Sequence, residues 1–174
     1  MNVDNGPIRL ISSEGNYIEI DYKSAKRSKF VEDFIKDFPE AEIQLDEINY
    51  ETLLKIKEYL EHYKNEEPKE IIQPLPKKDF KDCIDGWDYE YINISNEKVF
   101  EIMLAANFLD IQSLLDLTSA KIAFVIKGKN EEEIRKLFNM DKVEKEFNEE
   151  NNIEKRQIDK VCEINFDKRT ILYL

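Results

Sequence analysis

Hydrophobic positions alternate at the start of the chain. Ile8 and Leu10 fall on one side of an extended segment, Ile18 and Ile20 on one side of the next, and Ser12-Ser13-Glu14-Gly15-Asn16 lies between them. A period of two on both sides of a Gly-containing link predicts a β-hairpin. The period then changes. Phe30, Val31, Phe34, Ile35 and Phe38 recur at steps of three and four, so a helix is predicted that stops at Pro39. Ile43-Gln44-Leu45 predicts a short third strand, and Leu53, Ile56, Leu60 and Tyr63 mark an amphipathic helix over residues 49–63.

From Lys64 to Lys78 the apolar pattern lapses. Pro68, Pro74 and Pro76 sit among Lys and Glu, which predicts a mobile linker between a mixed strand–helix half and a nearly all-helical half. In the second half, Val99, Phe100, Ile102, Met103, Leu104, Ala105, Ala106, Phe108 and Leu109 make a helix apolar on most faces, the pattern of a central, buried helix. Asp110 is a candidate cap for the next helix. There Ile111, Leu114, Leu115, Thr118, Ile122, Val125 and Ile126 form one stripe, with Leu117, Lys121 and Phe124 on a second face. Only one of these faces is expected to pack on its own domain, leaving Phe124 for a later helix or a partner. Gly128 predicts a left-handed stop, and Asn130 with Glu133 a capping box for a third helix with Ile134, Leu137 and Phe138 on its apolar side. Beyond Met140, Val143, Phe147, Ile153, Ile158 and Val161 give only a thin seam, and Ile164 to Leu174 regains β-type residues. The apolar surface in Trp87–Asn139 exceeds what one short bundle needs, which predicts a surface for another protein.

Charge narrows the partner class. Among 174 residues, 26 are basic and 38 acidic, for a formal net charge of −12. Such a chain repels phosphate and anionic membrane unless its basic residues cluster, and no basic stripe with interleaved aromatics is present. No apolar run reaches the length of a membrane span, and the first residues lack a signal-peptide run, so a soluble intracellular protein is expected.

Candidate chemistry is sparse. Asp79, Asp82, Asp85 and Asp88 step by three, yet Gly86 and Trp87 interrupt them and the calcium-loop spacing is missing. Lys127-Gly128-Lys129 lacks the first Gly and the Ser/Thr of a phosphate loop. His62 is the only histidine, and Cys83 and Cys162 are far apart, too few soft ligands for zinc; two buried or free thiols are the simpler reading, with a disulfide between them as the alternative. No metal, no cofactor and no catalytic residue are expected.

Trp87-Asp88, Phe100-Glu101, Leu104-Ala105-Ala106-Asn107-Phe108-Leu109-Asp110-Ile111, Leu114-Leu115-Asp116, Ile126-Lys127-Gly128-Lys129, Glu132-Glu133-Ile134-Arg135-Lys136 and Phe138-Asn139 resemble, without a gap, the S-phase-kinase-associated adaptor family of SCF ubiquitin ligases. Ile8-Arg9-Leu10, Ser12-Ser13-Glu14-Gly15, Ala25-Lys26 and Ser28 extend the resemblance to about residues 8–140. It implies an α+β chain: a BTB/POZ-type domain, in which helices pack a small sheet, followed by a helical F-box-binding extension. The implied division is 1–65 and 86–127 for the two halves of that domain, 66–85 for the charged linker, 128–163 for the extension and 164–174 for a divergent tail. The last helix of the 86–127 half is shared with the F-box seat.

The implied function is that of a non-catalytic adaptor of a ubiquitin ligase, clamping an F-box substrate receptor onto a cullin that carries the RING protein, in cytoplasm and nucleus. By position, the resemblance implies cullin contact at Asn107, Phe108, Ile48 and Asn49. It implies F-box contact at Leu115, Ile122, Ala123, Phe124 and Ile126, with Ile134 and Phe138 as the far wall. The family usually carries Tyr where Phe108 stands, and often a polar residue where Phe124 stands. Its acidic insertion is short here, at Pro39-Glu40-Ala41-Glu42, and Val161-Cys162-Glu163 replaces a Trp-Cys pair, followed by eleven more residues. Some protist members carry a hydroxylated, glycosylated proline after the Phe-Asn pair; no proline follows Pro76 here, so that switch is expected to be absent. The alternatives are an Elongin C-like protein, disfavoured by the Leu114–Asn139 segment, and a self-associating BTB scaffold, homodimeric when no F-box protein is bound.

Overall fold

A computed structural model describes residues 6–38, 42–71 and 79–138. The chain divides into two compact units, Met1–Glu70 with Glu101–Asp116, and Ile71–Phe100 with Leu117–Leu174. Two long helices, α5 (Asn96–Phe108) and α6 (Gln112–Ile126), contribute residues to both.

The first unit holds a three-stranded sheet in the order β2-β1-β3. β1 (Ile8–Ile11) pairs antiparallel with β2 (Tyr17–Ile20), Leu10 opposite Ile18. The link closes as the pattern predicted: Ser12 N–H donates to the Asn16 carbonyl at 2.7 Å, and Gly15 takes φ +80°, a left-handed angle at which a side chain is strained. β3 (Ile43–Gln44) lies parallel to β1, with Leu10 beside Ile43. Ile8, Leu10, Ile18, Ile20 and Ile43 all point to the buried side, the period-two pattern read directly.

Helices cover that side. Asp21 caps the single turn of α1 (Tyr22–Ala25), accepting from Lys23 N–H. This turn has no apolar period of its own and is legible only as a cap. Ser28 caps α2 (Lys29–Asp37), which buries Val31 and Ile35. Asn49 caps α3 (Tyr50–His62), which buries Leu53, Ile56, Tyr59 and Leu60. Each cap satisfies one amide that a helix start leaves orphaned, stabilising its helix by about 1 kcal/mol.

The second unit holds a 3-10 turn (Phe80–Asp82), α4 (Gly86–Tyr91), α7 (Glu131–Leu137) and parts of α5 and α6. α4 has too few residues for a readable stripe; its start is set by Asp85, which accepts from Trp87 N–H, and Trp87 stacks on Tyr91 at 5.1 Å. α6 ends where Gly128 turns left-handed at φ +75°. The Asn130–Glu133 capping box at the start of α7 forms as the spacing predicted.

The linker expected over 66–85 is held at both described flanks. The Arg27 guanidinium donates to the Glu66 carbonyl and pairs with the Glu67 carboxylate at 3.1 Å. At the other end Phe80 is buried. Pro74, Pro76 and the residues around them, 72–78, lie outside the described residues, as do Pro39, the seam from Val143 to Val161, Cys162 and the tail 164–174.

Candidate docking surfaces

The first surface lies in the first unit, at the end of α5. Asn107 is exposed and Phe108 is 42% exposed. Their backbone is held by a left-handed stop. Asp110 takes φ +49°, Ile111 N–H donates to the Ala106 carbonyl at 2.9 Å, and Asp110 N–H donates to the Asn107 carbonyl at 3.3 Å. This is the paired bonding of a Schellman ending, normally built on glycine; Asp and Asn are the side chains that tolerate it best. Asp110 thus ends α5 and does not cap α6, because α6 starts only at Gln112. It stands one residue ahead of the α6 cap position.

α2 then locks onto this turn. The Ser28 hydroxyl donates to the Leu109 carbonyl, Phe30 N–H donates to the same carbonyl at 3.4 Å, and Lys29 N–H donates to the Asp110 carbonyl at 3.2 Å. Carbonyls left over at the end of one helix are satisfied by donors left over at the start of another. The Phe30 ring sits 5.1 Å from that of Phe108.

Ile48 and Asn49 are placed differently from Asn107 and Phe108. Ile48 is buried, and its carbonyl accepts from Ser13 N–H at 2.9 Å. Asn49 is half-buried; its Oδ1 caps α3 through Thr52 N–H, and its Nδ2 donates to Glu101 Oε2 at 3.3 Å. The Thr52 hydroxyl donates to the same oxygen at 3.1 Å. Glu101 and Phe108 are seven residues apart on α5, so they share a face about 10 Å apart along the axis. The four residues therefore divide into an exposed pair and a pair that builds the frame beneath α5.

The residues named for the F-box are mostly inside. Leu115, in the first unit, is buried, as are Ile122, Ala123 and Ile126 in the second. Leu115, Ile122 and Ile126 fall on one stripe of α6, at steps of seven and four. Phe124 lies on the opposite side of the helix, half-buried, with its ring 5.3 Å from Phe80. The Lys121 ammonium lies 5.3 Å from the centre of the Phe80 ring, and burial pushes its pKa down. The expected cover for Phe124 was a later helix or a partner. The observed cover is Phe80, from the stretch read as linker, where a lone aromatic among charges gave no period to read.

Ile134 on α7 is half-buried, and Phe138, just past its end, is buried with its ring 5.5 Å from Phe100. No residue within α7 itself is buried. The surplus apolar face inferred for α6 is therefore largely covered: Leu117, Ala120 and Ala123 are buried as well as the main stripe.

The polar candidates have structural roles. Asp85 caps α4, and Asp88 lies buried in its first turn. Among the described residues no group of His, Cys, Asp or Glu is placed to hold a metal ion, and no helix is long and apolar enough to cross a membrane. Cys83 is a free thiol beside the Asp79 carbonyl, and the exposed His62 packs edge-on to Tyr63.

Residues 7–65 match the tetramerisation domain of the Skp1 family, and residues 112–159 match its dimerisation domain. An S-phase kinase-associated protein 1 homolog of Tetrahymena thermophila is 44% identical over 142 residues, covering 80% of this chain and 86% of that protein. The E3 ubiquitin ligase complex SCF subunit sconC of Arthroderma otae is 38% identical over 135 residues, covering 76% of this chain and 82% of its own. The Aspergillus fumigatus protein of the same description is 37% identical, with 76% and 85% covered.

Proposed function

The chain belongs to the Skp1 family, and from that premise we propose that it is the adaptor subunit of an SCF-type cullin-RING ubiquitin ligase, joining F-box substrate receptors to the cullin. The observation that carries the cullin side is Phe108. This large aromatic residue is 42% exposed on a turn braced by its own backbone bonds and by donors from α2, and exposed aromatic rings mark contact sites. Asn107 beside it supplies an exposed amide for orientation, while Ile48, Asn49 and Glu101 fix the frame.

The F-box side rests on α6 and α7. Leu115, Ile122, Ala123 and Ile126 supply an apolar stripe, and Ile134 and Phe138 its far wall. The stripe is buried in the chain by itself. α7 buries none of its seven residues, so it is held weakly. The adaptor contributes no catalytic group. It raises the effective concentration of the substrate lysine near the ubiquitin thioester. Its place of action is the cytoplasm and nucleus.

Reconstitution tests this reading. An F-box protein and a cullin N-terminal region should each bind the purified full-length chain. Ile134→Glu should remove the F-box protein and leave cullin binding intact. Ile122→Glu is a poorer probe, because a buried charge at that site would unfold the chain itself. Loss of neither partner in Ile134→Glu and Phe108→Ala would refute both surface assignments. The matched domains are described as dimerisation and tetramerisation domains, which favours self-association as a second reading. A homodimer that persists by light scattering when F-box protein is added would favour it over the adaptor.

A further inference from the structure

α2 carries an aromatic face that its own core does not use. Val31 and Ile35 already fill the inward side. Phe30, Phe34 and Phe38 recur at i, i+4, i+8 on an adjoining side, where Phe30 and Phe34 are half-buried and Phe38 is 58% exposed. Their rings form a ladder, 6.4 Å from Phe30 to Phe34 and 5.3 Å from Phe34 to Phe38. The ladder continues without a gap onto Phe108, 5.1 Å from Phe30.

We propose that Phe30, Phe34 and Phe38 extend the cullin contact from Phe108 along α2, so that this chain grips its cullin by one continuous apolar face. The proposal rests on the adaptor reading and deepens it. Three observations select the cullin as occupant. First, the three hydrogen bonds from Ser28, Lys29 and Phe30 to the α5 turn make the ladder and Phe108 one rigid surface, so a partner seated on Phe108 meets Phe30 next. Second, Lys29, Glu32, Asp33 and Lys36 pair among themselves, with Lys29 to Asp33 at 2.8 Å and Lys36 to Asp33 at 3.2 Å. Only Asp37, next to the end of the ladder, lies outside these pairs, so the part of the helix beside Phe30 and Phe34 favours an apolar partner over a charged one. Third, a phenylalanine at position 108 has no hydroxyl to donate, so affinity there must come from area, and the neighbouring rings supply it.

The test measures affinity of the full-length chain for a recombinant cullin N-terminal region, with F-box co-purification as an independent check of folding. Phe38→Ala and Phe34→Ala should each weaken cullin binding by about tenfold or more, with F-box binding unchanged. Phe38 is the safer site, since it lies most in solvent, and Phe34→Leu should restore most of the affinity lost in Phe34→Ala. If Phe108→Ala abolishes cullin binding while Phe34→Ala and Phe38→Ala bind as the unaltered chain does, the ladder is overturned and the adaptor reading stands. If the unaltered chain does not bind the cullin, both fall. If the ladder variants instead abolish only a homodimer, the occupant is a second copy and the proposal is overturned.

Discussion

The corner where α2 meets the end of α5, and the helices α6 and α7, carry their proposed contact residues in opposite ways. At the corner, Asn107 and Phe108 are exposed, while the turn beneath them is bonded through Ala106, Asn107, Leu109 and Asp110. In α6, Leu115, Ile122, Ala123 and Ile126 are buried, and α7 buries none of its helical residues. The corner meets its ordering cost on folding, so a partner finds it preformed. The α6 stripe is buried in the unbound chain, so its proposed use by a partner would need a rearrangement. One chain can thus pair a standing contact with a gated one.

Stability variants separate the two regions. Ile122→Glu should have the largest effect, more than about 4 kcal/mol, because it buries an unpaired carboxylate. Urea unfolding would show it, and a stable variant would mean that the α6 stripe is open. Phe80→Ala should cost about 3 kcal/mol by leaving a cavity beside Phe124. A cost below about 0.5 kcal/mol, the level of surface substitutions, would return Phe80 to the linker. Ser28→Ala should cost about 2 kcal/mol, since it removes both the α2 cap and the donor to Leu109. It should also weaken cullin binding, which the corner's rigidity requires. Asn130→Ala should cost about 1 kcal/mol, felt as faster amide exchange in α7 alone. Global loss of protection in that variant would contradict a separately held α7.

Much of this was legible in the residues. The period-two runs at Ile8–Leu10 and Ile18–Ile20, the stripes of α2, α3, α5 and α6, Gly128 and the Asn130–Glu133 box each produced the element expected of them. Asn107 and Phe108 were singled out by the family resemblance alone, and both are exposed. α1 and α4 were missed because four and six residues are too few for a period, leaving only Asp21 and Asp85 as caps. Asp110 was misplaced because an aspartate at a helix junction reads equally as a start or a stop. The burial of α6 was underestimated because its second cover is Phe80, a single ring distant in sequence. Single long-range contacts leave no periodic trace. The aromatic ladder was visible as a helical stripe, but that half of it would face outward was not.

The adaptor account stands or falls on separable binding. The direct measurement is the mass by light scattering of the full-length chain mixed with an F-box protein and a cullin N-terminal region, repeated with Phe108→Ala and with Ile134→Glu. The account predicts a one-to-one-to-one assembly, loss of only the cullin in the first variant, and loss of only the F-box protein in the second. It is contradicted if the two partners exclude each other, or if either variant loses both.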